Sequence, residues 1–211
     1  CDDHPRYHVG ESLTGATAIA LKELGLGPAI EAQRYPVKHV AVFYGPDGKN
    51  DFWVGLVRRN EQGVQVPNST WNVMRSSFDK ILFDAAIERG AIWIKATALA
   101  PIVQDDAVIG LKIRTPEGAT ENLYSEVLID ASGCATFLAN HRVTGRKVPG
   151  NSDKQIALFT QFANTVRDDG PGLHQQPGNA LLYYQEKHYW AWFIPVSDEL
   201  TSVGVVFRTE H

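Results

Sequence analysis

Cysteine is nearly absent: only Cys1 and Cys134 occur in 211 residues. Neither sits in a Cys-x-x-Cys pair or beside histidines at ligand spacing, so the sequence offers no zinc or iron–sulfur site. Two lone thiols argue against a disulfide scaffold and for a reducing, cytoplasmic setting. No apolar run approaches the roughly 18–20 residues of a membrane span. The opening stretch CDDHPRYHVG is too polar to read as a secretory leader. A cationic excess is missing as well. The net charge is -4 and the densest basic spot is the pair Arg58-Arg59. Neither nucleic acid nor an anionic membrane surface is an expected partner. Internal repeats and low-complexity tracts are also absent.

What is present suits a packed domain. Hydrophobic residues make up 44% of the chain and charged residues 21%, which excludes extended disorder. The length suffices for one large domain or a domain and a half. The chain does not open on Met, and it stops just after an apparent strand. Both features suggest a segment of a longer polypeptide.

The pattern is mixed. A helix capped by Ser12 or Thr14 runs to about Leu24, with Gly25 and Pro28 behind it. Val40–Tyr44 and Phe52–Val57 flank the turn Gly45-Pro-Asp-Gly48 and read as a hairpin. A second helix begins at Val73 with Ser76 or Ser77 as its cap. Phe78, Ile81, Leu82, Ala85 and Ala86 form its apolar stripe, and Gly90 stops it. Strands follow at Ala91–Ala98, Ala107–Arg114 and Asn122–Asp130. Within the last, Val127-Leu-Ile129 resembles a fully buried parallel strand. A short helix at Cys134–His141 comes next. Strands then recur at Ile156–Phe162, Ala180–Gln185, Tyr189–Val196 and Ser202–Arg208, around a Gly- and Pro-rich loop at 167–178.

Four segments could carry chemistry. In Leu128-Ile-Asp130-Ala-Ser-Gly133 an apolar run meets Asp and Gly before a helix. A phosphate could bind there, because helix N-termini and bare glycine backbone favour anions; on this segment alone a plain capping Asp is the favoured reading. Gly10-Glu11-Ser12 enters a helix and offers free N–H groups and a hydroxyl, for an anion or simply as an N-cap. Arg75 stands at a helix start, where the macrodipole disfavours a cation, which hints at a nearby anion; a solvated Arg is the default reading. In Trp190-Ala-Trp192-Phe-Ile194-Pro195 the residues at 190, 192 and 194 share one strand face. Two indoles on one face are either core packing or the wall of an aromatic site.

Taken in order, Gly-Glu-Ser, Arg-x-x-Phe-Asp-x-x-Leu (Arg75, Phe78, Asp79, Leu82), Asp-Ala-Ser-Gly and Trp-x-Trp-x-Ile-Pro resemble the flavin-dependent halogenases. These form a branch of the p-hydroxybenzoate hydroxylase-type FAD monooxygenases. The Trp-x-Trp-x-Ile-Pro pattern is that family's fingerprint and matches at Trp190, Trp192, Ile194 and Pro195. The resemblance implies an α/β (α+β) fold: part of a layered FAD-binding domain at 1–35 and 71–145, and a β-rich antiparallel substrate platform at 36–70 and 146–211. The family's Gly-x-Gly-x-x-Gly segment, and the βαβ unit that carries it, are missing. Thr14-Gly15 also stands where relatives usually have Pro soon after Gly-Glu-Ser.

Carried over by position, the resemblance implies FAD contacts at Gly10, Glu11, Ser12, Arg75, Asp130 and Gly133. It implies a catalytic role for Lys38, with Trp190 and Trp192 guarding the flavin site, and no metal. A partner flavin reductase would supply reduced FAD. Oxygen and a halide ion would yield hypohalous acid, which Lys38 holds or activates beside an electron-rich aromatic, free or tethered to a carrier protein. Lys38 as an ordinary surface lysine stays open. So do two other readings: an FAD-dependent hydroxylase or reductase of the same superfamily, and a non-catalytic β-rich module that dimerises.

Overall fold

The computed structural model describes residues 6–48, 51–148, 154–186 and 189–209. Cys1 lies outside the described residues. Along the chain lie α1 (Gly15–Glu23), α2 (Gly27–Glu31), β1 (Val37–Lys38), β2 (Val40–Tyr44), β3 (Asp51–Gly55), β4 (Val57–Arg59), β5 (Gln65–Pro67), β6 (Thr70–Trp71) and α3 (Arg75–Glu88). Then come β7 (Thr97–Gln104), β8 (Ala107–Arg114), β9 (Thr120–Tyr124), α4 (Phe137–Asn140), β10 (Gln155–Ala163), β11 (Ala180–Glu186), β12 (Tyr189–Pro195) and β13 (Leu200–Arg208). They fall into two units. One holds the described residues within 87–152, and the other those within 4–86 and 153–211. This division cuts across the one expected from sequence, because residues 6–35 and 71–86 group with the β-rich region.

The larger unit is built on a six-stranded sheet of order β10-β13-β12-β11-β2-β3. Most neighbours are antiparallel, as expected, but β2 and β11 run parallel. No hairpin constrains that pair: some 135 residues separate Tyr44, the end of β2, from Ala180 in sequence, and a parallel pairing requires such a long connection. The Gly45–Gly48 turn closes the β2–β3 hairpin as its composition suggests. Val40, Val42 and Leu181 form a small core on this sheet. A second core joins α1, α2 and α3 through Leu21, Ile30, Trp71, Val73, Phe78 and Ala85. Phe78, Ile81, Leu82 and Ala85 thus do face inward, while Ala86, the last residue of the expected stripe, is exposed.

Helix starts depend on what the preceding residues pair with. Thr14 caps α1, its Oγ1 accepting from Thr17 N at 3.3 Å. The second helix begins at Arg75, two residues later than its composition suggests. The reason is a short ladder: Leu13 N donates to Trp71 O, Val73 N donates to Glu11 O, and Ser12 bridges Asn72. That pairing holds 71–73 extended. Ser77 is therefore inside the helix, where its hydroxyl meets Tyr35 Oη at 2.6 Å.

The smaller unit carries an antiparallel sheet, β7-β8-β9. Here the reading of Val127–Ile129 as a buried parallel strand is overturned. No strand forms there, and Val127 and Ile129 are 73% and 82% exposed. An apolar run becomes a strand only where a ladder partner exists, and β8 is already flanked on both sides by β7 and β9. The strand expected at Ala91–Ala98 likewise starts only at Thr97. The expected helix at 134–141 is a 3-10 turn, Gly133–Ala135, followed by the four-residue α4.

Candidate functional site

The Trp motif lies on β12 between β11 and β13, and its alternation is as the period of a strand demands. Trp190, Trp192 and Ile194 pair with Val206, Gly204 and Ser202 respectively. The three side chains share one face and, with Leu182, Val206 and Ala157, line a cavity of about 390 Å³. The segment Val9-Gly10-Glu11-Ser12 also lines that cavity. The two indoles meet at 5.7 Å between ring centroids, tilted by 45°. Trp192 is buried and donates its Nε1–H to Ser202 Oγ at 3.1 Å. The paired indoles are therefore both core packing and cavity wall.

Gly10, Glu11, Ser12, Lys38 and Arg75 come together with the Trp face in this one unit. Gly10 has φ +93°, and a Cβ there would lie 2.9 Å from Arg75 Nη1. The position thus requires a residue free of both the left-handed penalty and a side chain. Arg75 Nη1 donates to Val9 O at 2.6 Å. Its Nε and Nη2 donate to the Asp79 carboxylate at 2.7 and 3.0 Å. The anion that Arg75 called for is therefore Asp79, one turn along the same helix. Glu11 is buried, its carboxylate accepting from Gln161 Nε2 at 3.0 Å.

Lys38 is not an ordinary surface lysine. It is 7% exposed. Nζ donates to Ser12 Oγ at 2.8 Å and to Leu13 O at 2.5 Å. Burial without a carboxylate partner lowers its pKa to about 8. The placement follows from pairing: β1 meets β6, with Lys38 opposite Thr70, and the 11–13 segment lies against 71–73. Both ribbons converge on the ammonium. Lys38 does not itself line the Trp cavity, whereas its acceptor Ser12 does.

Asp130 and Gly133 belong to the smaller unit. Asp130 is exposed and accepts from Ser132 N at 3.0 Å and Leu138 N at 2.8 Å. Hydrogen bonds from Ser132 and Leu138 hold its carboxyl below the ordinary range. Ser132 Oγ takes the Phe137 N–H at 2.8 Å. The first amides of α4 are thus occupied by the capping side chains. Gly133 has φ +60°. A cavity of about 400 Å³ adjoins them, lined by Leu99, Leu111, Ile129, Asp130, Phe137 and His141 among others. Among the described residues no group of three His, Cys, Asp or Glu could hold a metal, and no helix is long and apolar enough to cross a membrane.

Sequence reasoning missed Gly204, Ser202 and Gln161. Nothing local marks them, because their roles exist only across strands. It also missed that Ser12 and Lys38 are partners, although both residues stood out separately.

No family model matches the chain. Among curated proteins it is 31% identical over 205 residues to the 1H-pyrrole-2-carbonyl-[peptidyl-carrier protein] brominase of Pseudoalteromonas luteoviolacea, covering 97% of this chain and 47% of that protein. It is 26% identical to the corresponding chlorinase of Pseudomonas fluorescens, covering 98% of this chain and 49% of the relative. The solved structure of the flavin-dependent brominase Bmp2 superposes with a TM-score of 0.86 at 30% identity, over 99% of this chain and 48% of the other. The chain spans about half the length of the curated relatives it matches, and over that span it is a homologue of the flavin-dependent halogenases with their mixed α/β fold.

Proposed function

We propose that the protein acts as a halogenase: reduced FAD, oxygen and a halide give hypohalous acid, which halogenates an electron-rich aromatic. One observation carries this reading. A lysine buried with no carboxylate partner among the described residues sits directly behind Ser12 at the wall of a cavity faced by two indoles. A lysine kept this way is retained for chemistry more readily than for stability, since burying its charge is costly. It can donate a hydrogen bond or give up a proton near neutral pH.

The residues present fit a flavin on one side of this cavity. Its wall is almost wholly apolar and aromatic, suited to a planar heteroaromatic ring. Gly10 leaves bare backbone at the facing edge, where a Cβ would strike Arg75. Gly10, Glu11, Ser12 and Arg75 would hold that group. When bound, it would supply the reducing equivalents that turn oxygen and halide into hypohalous acid. Trp190 and Trp192 would shield the oxidising side from organic substrate, and the dry wall would suppress wasteful release. The substrate class is a pyrrole or phenol, free or on a carrier protein; the pyrrole relatives support the tethered form. A flavin reductase is the implied electron source.

The test supplies the protein with FAD, a flavin reductase, NADH and bromide, with pyrrole and phenol substrates. Product mass is read with and without halide. Halide-dependent product supports the reading. A hydroxylated product that forms equally without halide overturns it in favour of a monooxygenase.

A further inference from the structure

We infer that Ser12 relays a proton between Lys38 and the Trp190/Trp192 cavity, so that Lys38 acts as an acid through Ser12 and does not itself carry the halogen. The inference rests on the proposed halogenation. It starts from an asymmetry: Ser12 lines the cavity, while Lys38 reaches it only through the Ser12 hydroxyl at 2.8 Å. The second contact of Nζ is Leu13 O at 2.5 Å. A carbonyl can only accept, so it fixes one N–H and cannot pass a proton on. A hydroxyl has one donor and two acceptor positions. Ser12 can accept from the Lys38 ammonium while donating its own O–H into the cavity. Among the described residues no carboxylate pairs with Lys38, and burial lowers its pKa to about 8, so its proton is available near neutral pH.

The step balances as follows. The aromatic carbon attacks the halogen of hypohalous acid with its π electrons, and the halogen–oxygen bond breaks. The departing oxygen takes the Ser12 hydroxyl proton and leaves as water. An N–H bond of Lys38 breaks, and that proton restores the hydroxyl on Ser12. The ring then loses the proton from its substituted carbon, which returns through Ser12 to the Lys38 amine. The aromatic is oxidised, the halogen of the acid is reduced, and Lys38 and Ser12 end as they began. A direct bond between Nζ and halogen would need Nζ at the cavity wall, where Ser12 stands instead.

The experiment compares wild type with Ser12→Ala, Ser12→Thr and Ser12→Cys. It uses two readouts. The first is turnover with reductase and bromide. Loss of the relay lowers kcat by about 10²–10³-fold with KM little changed, Thr restores it, and oxygen uptake continues. The second needs no flavin: competitive labelling of Lys38 by acetic anhydride across pH, read by mass spectrometry. Ser12→Ala removes an acceptor from the ammonium, so the labelling midpoint falls, and Thr returns it. Cys, a weak acceptor that keeps the side-chain volume, gives an intermediate fall and serves if Ala does not fold. Full halogenation by Ser12→Ala would overturn the relay, because removing the hydroxyl would merely have opened Lys38 to the cavity. An unchanged labelling midpoint in both Ala and Cys would also overturn it. If wild type does not halogenate at all, the proposed function fails, and the labelling midpoints alone decide the Ser12–Lys38 coupling.

Discussion

Gly204 on β13 lies directly under the ring of Trp192 on β12: a Cβ added to Gly204 would sit among the atoms of the indole six-membered ring. Gly204 is buried, and its backbone is not in the left-handed region. Space alone therefore dictates glycine here, as where an aromatic covers a glycine across strands. Trp192 cannot yield easily, because its Nε1–H is committed to buried Ser202. Gly204→Ala is expected to destabilise the larger unit by about 1–3 kcal/mol, the usual cost of overpacking. Denaturant unfolding followed by Trp fluorescence measures it. A neutral Gly204→Ala would mean that the indole tilts away at little cost, and that the cavity wall is soft.

The Arg75–Asp79 pair should behave differently from Lys80–Asp84 on the same helix. The first is largely buried, with side chains 21% and 11% exposed, and is bidentate. The second is 44% and 47% exposed. Asp79→Asn should cost about 1–2 kcal/mol, since it removes the negative charge, keeps only one acceptor oxygen and turns an NH2 toward a largely buried guanidinium. Asp84→Asn should cost less than about 0.5 kcal/mol. Equal values from urea melts would contradict the assigned geometry.

The buried Lys38 makes a signed pH prediction. Its folded pKa is lowered to about 8, below its ordinary value of 10.5. Between those pH values the unfolded chain binds more protons than the folded one, so stability contributed at this site rises with pH. Below about pH 8 both states are charged and the full desolvation burden is present. Above about 10.5 both are neutral and it is gone. Lys38→Met removes the titration. Wild type should therefore gain stability relative to Lys38→Met as pH rises from 8 to 10.5. A constant difference over that range would place the amine in contact with water.

Local patterns made α1, the stripe of α3, the β2–β3 hairpin and the shared face of Trp190, Trp192 and Ile194 legible in the sequence. Each depends on the period of one element and on nearby turn residues. The start of α3 was not legible, because the hydrogen bonds that keep 71–73 extended come from residues 11–13. Val127–Ile129 misled for a related reason. An apolar run states what would gain from burial, not whether a strand is available beside it. Lys38 shows the same gap at the site: the resemblance made it a candidate, but the burial that lowers its pKa and its bonds to Ser12 and Leu13, 26 and 25 positions away, exist only in the fold. Gly204 and Ser202 carry no local signal, and only the β12–β13 register reveals why they are needed.

On the proposed function, the Lys38 amine directs halogenation and takes no part in the flavin's reaction with oxygen. The most direct test is Lys38→Ala, assayed with flavin reductase, NADH, bromide and an aromatic substrate. Halogenated product and oxygen uptake are followed together in one reaction. The account predicts loss of brominated product by at least about 10²-fold while oxygen consumption stays near the wild-type rate. Bromination at the wild-type rate by Lys38→Ala would contradict it and remove Lys38 from the site.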